Sequence, residues 1–83
     1  EAGKVFLYKE LARLGLPYIP TEANFIFFNL ERDSQVVFER LLDEGVITRS
    51  GEVFGCPTWL RVTIGTAAEN QRFVRALEKA LDE

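Results

Sequence analysis

The 83 residues contain no histidine, no methionine and a single cysteine. Without histidine, imidazole general bases and the common nucleophile–histidine triads are excluded. With Cys56 as the only soft ligand besides, no zinc-binding set can be assembled. Cys56 has no partner for an internal disulfide, which fits a reducing compartment and sets the expectation of a cytoplasmic location. Long apolar runs are also missing. The longest stretch, Phe25 to Phe28, is far too short to cross a bilayer, and the N-terminus alternates charged and apolar residues where a signal peptide would build a continuous apolar segment. Basic residues are outnumbered, 10 against 13 acidic, so the net charge is −3 and the pI about 5.0. A general nucleic-acid surface would need clustered Lys and Arg and is not expected. A self-contained enzyme is not expected either, and the start at Glu1 without an initiator methionine makes a piece of a longer chain the expectation.

What is present describes one globular domain spanning residues 1–83, with 47% hydrophobic and 28% charged residues. In "EAGKVFLYKELARLGLP", Leu7, Leu11 and Leu14 form one stripe of a helix that Gly15 and Pro17 bring to a stop. "YIP" is a short extended piece, and Phe25 to Leu30 reads as a strand whose near-continuous apolar character implies cover on both faces. "RDSQVVFERLLDEG" is a second helix, capped by Asp33 or Ser34, ended by Gly45, with Val37, Phe38, Leu41 and Leu42 as its apolar face. "VITRS" reads as a strand, "GEVFGCPT" as a loop and "WLRVTIG" as a strand. Thr66 and Glu69 stand at capping-box spacing before a last helix carrying Phe73, Leu77 and Leu81. The expected fold is α+β, with three helices on one face of a small antiparallel or mixed sheet.

Alternation along the strands puts Leu60, Val62 and Ile64 on the core side and Trp59, Arg61 and Thr63 on the other, with Ile47 and Arg49 sharing one side of their own strand. Arginine does not escape burial by deprotonating, so Arg61 inside an apolar strand needs a partner, water or an anion. If the two strands are neighbours, Arg49 and Arg61 converge, and two guanidinium forks make a clamp for phosphate or carboxylate. Arginines on short strands are more often surface residues or members of ion pairs with nearby Asp and Glu. Trp59 and Phe54 are open to two readings as well, core aromatics or the wall of a ligand pocket. The glycines of the 51–57 loop are turn formers that can also present amides to an anion. Lys4, Lys9 and Lys79 sit among other charges on helices, unlike a desolvated Schiff-base lysine.

"GLPYIPTEANFIFFNL", "LLDEGVITRSG" and "LRVTIGTAAENQRFVRALEKAL" together resemble the C-terminal small domain of histidinol-phosphate aminotransferases, fold type I enzymes dependent on pyridoxal 5'-phosphate. The resemblance covers nearly the whole chain and is most specific at Ala23–Phe25, at the arginine after Gly-Val-Ile, and at LRVTIGT. It implies that Arg61 faces the cleft between two domains and binds the anionic end of the substrate. It implies that Arg49 grips the same phosphate, and that Asn24 is a substrate-site neighbour or a structural residue where the strand begins. It further implies a large domain, outside these residues, that carries the cofactor lysine; a homodimeric full-length enzyme of histidine biosynthesis; and no catalytic or cofactor-binding group within residues 1–83. Threonine-phosphate decarboxylase, a relative that also clamps phosphate, is an alternative. A free-standing α+β binding module is another, less favoured because its apolar second face would be uncovered.

Overall fold

The first two helices end at glycines in the left-handed backbone conformation. The computed structural model describes residues 2–21 and 23–82, except for the side chains of Val53 and Phe54. Helix α1 spans Ala2–Arg13 and α2 spans Ser34–Asp43. Gly15 has φ 75° and Gly45 has φ 79°, values that residues with a Cβ adopt only under strain. After α1, the amides of Gly15 and Leu16 donate back to the carbonyls of Ala12 and Leu11, at 3.0 and 2.9 Å. After α2, those of Gly45 and Val46 donate to Leu42 and Leu41, each at 2.9 Å. Orphan carbonyls are thereby satisfied, and an apolar residue folds back onto each last turn.

Among the described residues four strands follow the expected α+β plan: β1 (Tyr18–Ile19), β2 (Phe25–Asn29), β3 (Arg49–Ser50) and β4 (Trp59–Thr63). All pairings are antiparallel, in the order β1-β2-β4-β3. Because β2 and β3 both oppose β4, they are parallel to each other and joined through α2, a split β-α-β arrangement. Helix α3 (Ala67–Asp82) completes the chain. The three helices lie on one face. Leu7 and Leu11 of α1, Val37 and Leu41 of α2, and Phe73 and Leu77 of α3 pack against Ile26, Phe28, Leu60 and Val62 of the sheet. Phe28 meets Phe73 edge to face, with ring centroids 5.9 Å apart.

Hydrogen bonds hold the ends of these elements. Asp33 caps α2, its carboxylate accepting from the Gln35 amide at 2.9 Å. Ser34 is instead buried, its hydroxyl 2.8 Å from that of Ser50 on β3. Helix ends of α2 and α3 are served by arginines from elsewhere in the fold. Arg72 donates to the Glu44 carbonyl at 3.0 Å, Arg40 to Ala80 at 2.9 Å and Arg32 to Leu81 at 3.2 Å. At the start of α3 the capping box is complete: Thr66 Oγ1 accepts from the Glu69 amide, and Glu69 Oε1 accepts from the Thr66 amide. Asn70, buried behind it, accepts from the Gly65 amide and donates to the Gly65 carbonyl, so the link that follows β4 is pinned directly to α3.

The hydrogen bond from the Thr66 amide holds the Glu69 carboxyl below the usual carboxylate range. A depressed folded-state value means that this stabilisation is present above the unfolded value and lost as pH falls through the folded one. The stability advantage of the protein over its Glu69→Gln variant should therefore shrink on acidification through the carboxylate range; chemical denaturation at a series of pH values measures it.

Several expectations are corrected. "VITRS" pairs only at Arg49 and Ser50, because the Val46 amide is spent in closing α2. Leu42 is not part of the α2 core face and is 47% exposed; it lies one helical step beyond Leu41, outside the Val37–Leu41 stripe. The β2 strand is not covered on both faces by the described residues: Ile26 and Phe28 are fully buried, Phe25 and Phe27 only half-buried. The loop after β3 begins as a short 3-10 turn, Gly51–Phe54, capped by Ser50. The Phe54 side chain lies outside the described residues.

Candidate functional site

One row of side chains crosses the sheet face away from the helices. Ile19 pairs with Phe27, Phe27 with Arg61, and Arg61 with Arg49. Directly opposed residues in an antiparallel pair have Cβ atoms about 5 Å apart on the same face. Arg49 and Arg61 are therefore immediate neighbours. The register also places Trp59 and Thr63 of β4 on this face, opposite Asn29 and Phe25.

The aromatic residues lean one step along the sheet from their direct partners. Phe27 faces Arg61 in register, yet its ring stacks on Trp59 at 5.0 Å with 25° between planes. Phe25 faces Thr63, yet the Arg61 guanidinium carbon lies 4.9 Å from the centroid of its ring. Trp59 is thus a half-buried residue of the open face, stacked on Phe27, and does not belong to the core cluster. Arg61 is half-buried and Arg49 exposed.

Among the described residues neither arginine has a carboxylate partner. The ion pairs there are Arg13 with Glu10 and Glu78, and Lys79 with Glu44. Two like charges directly opposed across a ladder destabilise the empty state. Such an arrangement is relieved by an anion that accepts from both forks. A concavity of about 350 Å³ at the β3 edge is lined by both arginines with Gln35, Phe38, Ile47, Thr48 and Ser50. The Thr48 hydroxyl is buried there without a hydrogen-bond partner among the described residues.

Asn24 does not join the row. It is exposed in the bend before β2, where its carbonyl accepts from the Ile64 amide at 2.8 Å; no hydrogen bond of its side chain is formed among the described residues. Cys56 is half-buried. Among the described residues no helix is long and apolar enough to cross a membrane. Phe25 is a neighbour of Arg61 that the sequence alone did not single out. Its alternation with Ile26 was readable, but its contact with Arg61 depends on which strand lies beside β2.

The family profile of aminotransferase class I and II matches residues 2–77. Histidinol-phosphate aminotransferase of Moorella thermoacetica is 56% identical over 79 residues, covering 95% of this chain and 20% of that protein. The chain thus spans about a fifth of the length of that relative. In fold it is similar to L-threonine-O-3-phosphate decarboxylase from Porphyromonas gingivalis, with TM-score 0.89 and 25% identity over 99% of this chain and 27% of the other. It is similar also to histidinol-phosphate aminotransferase from Sinorhizobium meliloti in complex with pyridoxal-5'-phosphate, with TM-score 0.86 and 21% identity over 98% of this chain and 23% of the other. With a profile match over nearly its full length and the same helix-covered sheet in both solved structures, the chain belongs to the aminotransferase class I and II family.

Proposed function

We propose that this chain forms the substrate-clamping part of a pyridoxal-phosphate-dependent aminotransferase acting on histidinol phosphate. Such an enzyme exchanges an amino group between histidinol phosphate with imidazole acetol phosphate and glutamate with 2-oxoglutarate. The observation that carries the proposal is the direct cross-strand pairing of Arg49 and Arg61 on an open face without a carboxylate partner among the described residues. A phosphate monoester carries close to two negative charges and three acceptor oxygens, enough for two guanidinium forks, whereas one fork already saturates a carboxylate. The identity to the Moorella thermoacetica protein supports histidinol phosphate as the phosphorylated substrate.

The cofactor supplies an electron sink for the carbon that exchanges the amino group, and these residues do not fit it. Lys4 and Lys9 lie on α1 and Lys79 on α3, all in the helix layer, with Lys79 paired to Glu44. None shares the open face with the arginines. In the proposed enzyme the cofactor is held by residues outside these 83, on a large domain that meets the open face, and the enzyme is a cytoplasmic homodimer. Arg49 and Arg61 bind and orient the substrate; they transfer no proton, since guanidinium stays charged throughout the working pH range.

Decarboxylation of threonine phosphate is the second reading, favoured by the fold similarity to the Porphyromonas gingivalis enzyme. The two are separated by assaying the full-length enzyme with both substrates. Formation of glutamate from histidinol phosphate and 2-oxoglutarate is the expected result. Carbon dioxide release from threonine phosphate without that transamination overturns it.

A further inference from the structure

We infer that Phe25 is a positioning residue for the anion clamp, holding the Arg61 guanidinium clear of Arg49 and ready for an oxyanion. The inference rests on the reading of Arg49 and Arg61 as that clamp and assigns a specific task to an aromatic residue beside it.

Left to the register alone, Arg61 would stand between Phe27 and Arg49 in a single row. Both directions are unfavourable. Phe27 is already engaged with Trp59, its ring stacked at 5.0 Å, and Arg49 brings a like charge directly opposite. The way left is diagonal, over Phe25, where the guanidinium carbon sits 4.9 Å from the ring centroid. That distance lies within the range where the negative face of an aromatic ring attracts a cation. The contact moves Arg61 away from the β3 side of the row, lowering its repulsion with Arg49.

A ring contact also differs in kind from an ion pair. A carboxylate partner would accept from the same N–H groups that an incoming phosphate needs and would have to be displaced. The ring takes none of the five donors. Phe25 thus restrains the long side chain and reduces the rotamer freedom lost on binding, while leaving the fork open. Its own placement is rigid: it is the first residue of β2, opposite Thr63, between the buried Ile26 and an Asn24 whose carbonyl is tied to Ile64.

The test measures inorganic phosphate as a competitive inhibitor of the full-length enzyme, together with kcat/KM for histidinol phosphate. Phe25→Leu is expected to weaken phosphate binding by about 2- to 30-fold, the range of partly desolvated cation–π contacts, with kcat reduced less than KM is raised. Phe25→Tyr should restore binding to within about twofold, because it keeps the ring face. Pentafluorophenylalanine at position 25 preserves the volume while reversing the ring's electrostatics; it should reproduce the loss, and it carries the test if Phe25→Leu does not fold. In an Arg61→Ala background the change at position 25 should have no further effect. An equal loss in both backgrounds, or full binding with the fluorinated ring, overturns the inference. Loss with Arg61→Ala but none with Phe25→Leu defeats this inference alone, whereas no loss with Arg61→Ala defeats the clamp itself.

Discussion

Replacing Arg61 with alanine is expected to lower kcat/KM of the full-length enzyme for a phosphorylated substrate by about 2–5 kcal/mol, the scale of truncating one partner of a desolvated charge pair. Arg61 stands on the central strand β4, flanked by β2 and β3, where it is half-buried and steadied by Phe25. A guanidinium so placed has already lost part of its hydration before phosphate arrives, so less of its interaction is cancelled by desolvation than at a fully exposed site. Arg49, exposed on a two-residue edge strand, retains water and side-chain freedom; its removal should cost less, about 1–2 kcal/mol, nearer the value of an ordinary charged hydrogen bond. Lysine at position 61 keeps the charge but loses the planar fork and is expected to recover only part of the activity. Steady-state kinetics with the phosphorylated substrate and its dephosphorylated analogue decide the matter. The Arg61→Ala loss must be much larger with the former, and equal losses with both would remove the phosphate from this site.

The second large effect lies beneath that face. Phe28→Ala is expected to destabilise the fold by about 3–5 kcal/mol, the range for emptying a large aromatic from a packed core. Phe28 is fully buried between the sheet and the helices, opposite Leu60 in register and edge-on to Phe73. A domain of this size has only about 4–12 kcal/mol of stability in all. Denaturant unfolding should show either a sharply lowered midpoint or no cooperative transition. Phe28→Leu keeps most of the volume and should fall well short of that loss. An alanine variant with an unchanged midpoint would mean that the β2–α3 contact contributes nothing.

The difference between these two residues shows what could be read from the chain. Phe28 belongs to the core by alternation with Ile26, a local pattern that needs no knowledge of neighbours. Helix limits were legible for the same reason, since Gly15, Gly45 and the Thr66–Glu69 box are short-range signals. Arg61 was legible as a misfit within its own strand, and its side of the sheet follows from counting. That Arg49 stands directly beside it depends on β4 being inserted between β2 and β3, a pairing of residues thirty or more positions apart along the chain in the case of β2 and β4. No local pattern encodes that choice. The shortness of β3 was hidden for a related reason: Val46 has strand chemistry, but its amide had already been claimed by the end of α2.

The helix-end arginines bear on this protein's field as much as on its stability. Arg32, Arg40 and Arg72 are directed at the carbonyls of Leu81, Ala80 and Glu44, and Arg13 is matched by Glu10 and Glu78. Four of the seven arginines thus neutralise negative ends and carboxylates away from the open face. Among the described residues, the pair on that face has no such screen nearby. A chain with net charge −3 is thereby electrically two-sided, repelling anions over most of its surface while drawing them along one direction of approach, toward the row that holds Arg49 and Arg61.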